Sequence, residues 1–178
     1  LFNSDFFKNS RFERLKNPTE VVVGTLRMVG GAEFPAPGIG DLSRQPSYMG
    51  QDLLNPPSVE GWHTGREWID SGTLVERINF VAEQVGNPEL PGVKMIIDRM
   101  LTKSTAGASS MSAEAFVDGC LDLMGPVEVS EKTHISLIEY AKGAGPLTRG
   151  GEEDHAKFAK RVGEMLQLIV ATAEYQYA

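Results

Sequence analysis

The sequence predicts an all-α fold, an irregular or orthogonal bundle of six to eight helices with long Pro/Gly-rich loops. Three observations carry this. Apolar residues recur at helical spacing in segment after segment, and no alternating stretch asks to be a strand pair. Capping residues stand before most of these segments, and Gly or Pro closes them. The helices vary in length and no solenoid repeat is present, which argues against a regular four-helix bundle or a repeat array. The chain of 178 residues reads as one domain, an aromatic-rich arm over 1–16 and a helical core over 17–178.

In the arm, Ser4 caps a short helix and Asp5 suits its first turn. Phe2, Phe6, Phe7 and Phe12 need a surface to bury against, or else stand exposed. Asn17-Pro18-Thr19-Glu20 starts the next helix: Asn17 caps, Pro18 takes the first position and Glu20 answers back. Val22, Leu26 and Val29 share its face, and Gly30-Gly31 ends it. Residues 32–40 form a Pro/Gly loop. A third helix is expected over about 42–54, with Pro46 near its first turn and Gly50 tolerated inside it. Pro56-Pro57 stops it.

Residues 51–80 form the centre of the chain and hold both tryptophans. A loop through Gly61, Trp62 and Gly65 leads to a helix starting at Ser71 or Thr73. Leu74, Ile78, Val81, Ala82 and Val85 form its buried face, with Arg77 at the edge seeking a bidentate carboxylate. Gly86 and Pro88 close it. Residues 90–101 form the next helix, burying Val93, Ile96, Ile97, Met100 and Leu101. A small polar connection over 103–110 follows. Ser112 caps a helix facing Phe116, Cys120, Leu121 and Met124 inward. Ser130 caps another with Ile135, Ile138 and Ala141 inside. The last and longest spans about 152–175, with Phe158, Val162, Met165, Leu166 and Ile169 on one face.

The run Met49-Gly50-Gln51, Asn55 to Trp62, Trp68-Ile69, Leu74 and Arg77-Ile78-Asn79-Phe80 resembles the bacterial domain of unknown function 1800 family. Phe6-Phe7, Lys16 to Gly24, Leu26-Arg27 and Ala173 to Gln176 extend the resemblance over most of the chain. The resemblance implies the C-terminal part of a longer exported protein, hence an extracytoplasmic, periplasmic or secreted, location. It implies partners as well: other protein subunits, an N-terminal half of the same chain, or a co-encoded sulfatase-like protein. It carries no catalytic residues over.

Apolar content of 41% and charged content of 23% fit a soluble globule. A net charge of −7 argues against a nucleic-acid partner, which would want a basic face. No segment reads as a transmembrane helix. Cys120 alone excludes an internal disulfide and, on an apolar helical face, reads as a small hydrophobe rather than a reactive thiol.

Trp62 and Trp68 read as packing anchors, or as a binding platform with His63 and Arg66 beside them. His63, oriented by Glu60, Glu67 or Asp70, has the makings of a base or ligand. Arg66 or Arg77 pairing with Glu67, Glu76 or Asp52 would hold the loop. Glu131 with His134, and Glu152 with His155, repeat the Glu-x-x-His spacing of di-metal carboxylate bundles. Both pairs lie in a first helical turn, where acids also serve the dipole. No cofactor is therefore predicted, and a di-metal site at these four residues is the alternative. No nucleophile elbow, phosphate loop, zinc-protease motif or haem motif is present. The expected function is a structural or interaction subunit of a larger assembly. The alternatives are a hydrolytic or metal-dependent enzyme domain with its pocket at Trp62 and Trp68, and a carbohydrate-binding module on the same indoles.

Overall fold

The computed structural model describes residues 2–10, 12–31, 38–103, 110–125, 127–148 and 152–177. The fold is all-α. Among the described residues there are eight helices: α1 (Asp5–Asn9), α2 (Pro18–Val29), α3 (Ile39–Tyr48), α4 (Ser71–Val85), α5 (Pro91–Lys103), α6 (Ala113–Leu123), α7 (Glu131–Gly143) and α8 (Glu152–Val170). Two short 3₁₀ turns, Gly65–Trp68 and Glu174–Gln176, complete the path. Two-residue strands, β1 (Ser110–Met111) and β2 (Leu147–Thr148), also pair antiparallel, a contact too short to show as alternation in sequence.

Local chemistry starts these helices where the sequence puts them. The Asn17 side chain accepts from the Glu20 amide at 2.9 Å, and Glu20 accepts from the Asn17 amide at 2.9 Å, closing a capping box. Ser4, Ser112 and Ser130 cap α1, α6 and α7. Asp70 caps α4 in a second reciprocal box with Thr73.

Helix α4 packs on α2 along one side and on α8 along the other, while α6 joins α5, α7 and α8. Buried side chains from Val21 to Tyr175 form one connected cluster, with Phe116, Met100, Met165, Leu166 and Ile169 among its most enclosed members. The Leu15–Tyr177 bridge, with the Lys16 amide donating to the Gln176 carbonyl at 2.9 Å, ties the N-terminal arm to the last turn.

Five expectations are corrected. Helix α3 runs over Ile39–Tyr48, not 42–54, and Pro46 sits in its last turn. Gly50 is not inside that helix: it has φ +93°, its amide donates to Ser47 and the Gln51 amide donates to Pro46. That is the helix-terminating pattern in which glycine takes the left-handed position. Helix α4 is rotated from its expected face: Arg77 and Phe80 are buried, whereas Leu74 and Ile78 are only partly so. In α7, Leu137 is buried and Ile135 is exposed. Helix α8 ends at Val170 and the chain turns back through the second 3₁₀ turn, so it stops short of Tyr175. The loop over 32–37 and most of the connection over 103–110 lie outside the described residues.

Candidate functional site

The site grows from the end of α3. Termination at Gly50 aims Gln51 inward, where it is 8% exposed. Its Oε1 accepts from the Thr19 amide at 2.9 Å and the Thr19 hydroxyl at 2.7 Å, fastening the loop to the start of α2. Gln51 is the functional candidate that sequence reasoning missed. The signal was Gly50 followed by a polar residue, which marks a helix end.

From Asp52 the chain forms a braced loop. Asp52 accepts from the Ser47 hydroxyl at 3.0 Å and the Asn55 side chain at 2.9 Å. These bonds hold its carboxyl below the usual range, the Asn55 bond most strongly. The Trp62 indole N–H donates to the Asp52 carbonyl at 3.1 Å, and Ser58 bridges to Gly61. The loop thus closes on its own base. In the turn that opens it, Leu54 is 96% exposed with φ +65°, a conformation unusual for any residue but Gly, Asn or Asp. Val59 is fully exposed as well.

Trp68 packs inward at 6% exposure, and its carbonyl accepts from the Thr73 hydroxyl at 3.0 Å. Trp62 is half-buried. The two indoles therefore differ: one plugs the corner before α4, the other keeps part of its surface open. A cleft of about 320 Å³ lies between this corner and the arm, lined by Arg14, Leu15, Asn17, Gln51, Trp62, His63 and Trp68. The structure thus brings Trp62, His63 and Trp68 together, while Arg66 stands exposed outside the lining.

His63 Nδ1 lies 3.0 Å from Glu67 Oε2, both side chains being exposed. Arg14 grips Glu20 through two bonds of 2.7 and 2.6 Å. That pairing raises the arginine and lowers the carboxyl from their ordinary values. Lys16 is lowered by burial, and its ammonium donates to the Tyr175 carbonyl at 2.7 Å above the Tyr175 ring.

The expected arginine–carboxylate brace of the loop is not what holds it. Among the described residues no carboxylate pairs with Arg66, and Arg77 is fully buried, its Nη1 donating to the Lys16 carbonyl at 2.9 Å. The loop is instead braced by Asp52 and Gln51.

The Glu-x-x-His positions lie elsewhere. His134 Nε2 sits 2.7 Å from Asp118 Oδ1, with Glu131 in the same first turn of α7. His155 is exposed on α8, and the side chain of Glu152 lies outside the described residues. Among the described residues no three His, Cys, Asp or Glu side chains gather as a metal-binding group. No helix among them is long and apolar enough to cross a membrane.

A family model described as protein of unknown function (DUF1800) matches residues 1–177. No curated protein and no solved structure matches the chain.

Proposed function

We propose, for a chain that belongs to the DUF1800 family of proteins of unknown function, that it is a structural or interaction subunit. It docks through the braced loop at residues 52–62 and works in an extracytoplasmic assembly. The observation that carries this reading is the exposed apolar side chains that the loop holds in place. Leu54 is held in a left-handed conformation and presented to solvent at 96% exposure, and Val59, in the same closed loop, is fully exposed. Backbone strain of about 1–3 kcal/mol persists only where the surroundings enforce it, and it concentrates at functional positions. A pre-ordered loop loses little conformational freedom on docking, which favours affinity. Tyr48 and Leu53 are exposed as well, α1 buries none of its residues, and Phe2, Phe6 and Phe7 face solvent. The extracytoplasmic location rests on the family resemblance alone.

Native mass spectrometry of the protein from its source, with metal analysis of the same sample, tests the reading. Bound protein subunits support it; a monomer with near-stoichiometric metal contradicts it and directs attention to Glu131, His134, Glu152 and His155.

One observation favours a second reading. His63 lines the cleft with Nδ1 at 3.0 Å from a carboxylate, the arrangement that orients a general base. A hydrolytic domain would then act at the cleft. Ester hydrolysis by the wild-type chain that H63A abolishes would establish it; equal rates in both would remove it.

A further inference from the structure

A second cavity, of about 360 Å³, lies where α2, the arm and the last turn meet. Its walls are mostly apolar: Val21 and Met28 of α2, Phe12 of the arm, Met124 and Val127 after α6, and Tyr177. Small-molecule sites are of this kind, roughly 300–1,000 Å³ with a few polar groups in an apolar lining. Methionine is unbranched and adapts its shape to what it touches, and two line this cavity. Phe12 holds a left-handed backbone at φ +60°, unusual for an aromatic residue. Gly24, exposed on α2, also lines the cavity, so it reaches solvent.

Two charged side chains line it, Lys16 and Glu20, and they are not equivalent. Glu20 is matched: Arg14 holds both of its oxygens, at 2.6 and 2.7 Å. Lys16 is half-buried, and its ammonium carries three donors. Among the described residues one acceptor serves it, the Tyr175 carbonyl at 2.7 Å, and no carboxylate lies within ion-pair distance. Its Nζ stands 4.3 Å from the centre of the ring of Tyr175, which lines the cavity too. Burial disfavours the ammonium more than the charge of Glu20 supports it. A second carboxylate in the cavity would favour it. The Thr25 hydroxyl is already spent on the Val21 carbonyl at 2.7 Å. The cavity therefore offers one unmatched positive charge against an apolar wall.

We propose that this cavity binds a free medium-chain carboxylic acid, its carboxylate paired with the Lys16 ammonium and its alkyl chain laid against Met28, Met124 and Val127. Walls this apolar would leave the backbone of a peptide unpaired, which is unfavourable, whereas an alkyl chain asks for no hydrogen bonds. The inference goes beyond the assembly reading. It uses neither the loop at 52–62 nor the tryptophan cleft, so either can fail alone.

The tests use the whole chain, labelled with ¹³C at the methionine methyl groups. It is titrated with sodium octanoate, with octanol as the uncharged twin and sodium acetate as the head without the chain, at fixed ionic strength. The expected result is a saturable shift of the Met28 and Met124 methyl signals with octanoate, while Met95, which does not line the cavity, stays in place. Octanol binds about tenfold or more weaker, since it forgoes the charge-assisted bond to Lys16, and acetate gives no saturable shift. This comparison in the wild type does not depend on any variant folding. In K16L, octanoate binds no more tightly than octanol. Unmoved Met28 and Met124 signals, octanol or acetate binding as tightly as octanoate, or undiminished octanoate binding by folded K16L overturns the proposal.

Discussion

Cys120 is fully buried, and burial pushes its thiol up to about 12. The nucleophile is the thiolate, so this cysteine is inert while the chain is folded. A maleimide reagent is predicted to label it only in denaturant; labelling of the native chain at the rate of a free thiol would contradict the burial. The reading of Cys120 as a small hydrophobe was legible because its neighbours at helical spacing, Phe116 and Met124, are apolar. Arg77 was legible only in part. Its place at the edge of the buried face was expected, but it is completely buried and meets the Lys16 carbonyl rather than a carboxylate. Periodicity counts apolar residues, and so it rotated α4 away from an arginine that lies on the inner face. Gly50 was misread for a related reason: propensity alone cannot separate a glycine inside a helix from one that ends it.

At the scale of elements, Gly92 sets the crossing of α2 and α5. A Cβ there would fall inside contact distance of the Met28 carbonyl and the Val29 backbone. G92A is therefore predicted to destabilise the chain by about 1–3 kcal/mol through overpacking, read as a lowered denaturation midpoint at unchanged m-value. Nothing in the sequence marks this contact, since it depends on where two distant helices meet.

The start of α7 carries a second prediction. Glu174, from the last turn, accepts from the Ser130 amide at 3.0 Å and the Thr133 hydroxyl at 2.8 Å. Burial opposes ionisation, but hydrogen bonds from Ser130, its own amide and Thr133 outweigh it and hold the carboxyl at about 2. A folded value below the ordinary one of about 4.3 means that this stability is present above pH ~4 and is lost as pH falls toward 2. With partial exposure screening the effect, wild type should lose about 1 kcal/mol more than E174Q between pH ~5 and ~2. Parallel pH curves for the two proteins would show that Glu174 does not tie the last turn to α7. The caps at Ser112, Ser130 and Asn17 were readable because capping is local chemistry; the Glu174 contact joins residues far apart in sequence and was not.

For the whole molecule, the all-α class and the capped starts were legible from spacing and punctuation; the tryptophan segment, expected at the centre of the fold, buries Gln51 and Trp68 at its ends but leaves most of residues 52–67 exposed. The candidate site was legible as a neighbourhood: Trp62, His63 and Trp68 do meet at one cleft. Its inner wall was not, because Arg14, Leu15 and Gln51 come to it from the arm and from the end of α3. Nor was the outward display of Leu54, which the expected longer helix had carried. That display is the basis of the assembly reading, and it separates stability from association. Leu54 and Val59 are solvent-exposed, so an L54D/V59D double variant is predicted to keep its melting temperature to within about 2 °C.

The most direct measurement is native mass spectrometry of wild-type and L54D/V59D chains recovered from the source organism under identical conditions. The assembly account predicts bound subunits on the wild type and their loss from an equally stable double variant. A monomeric wild type, or partners retained in full by the variant, would contradict the account.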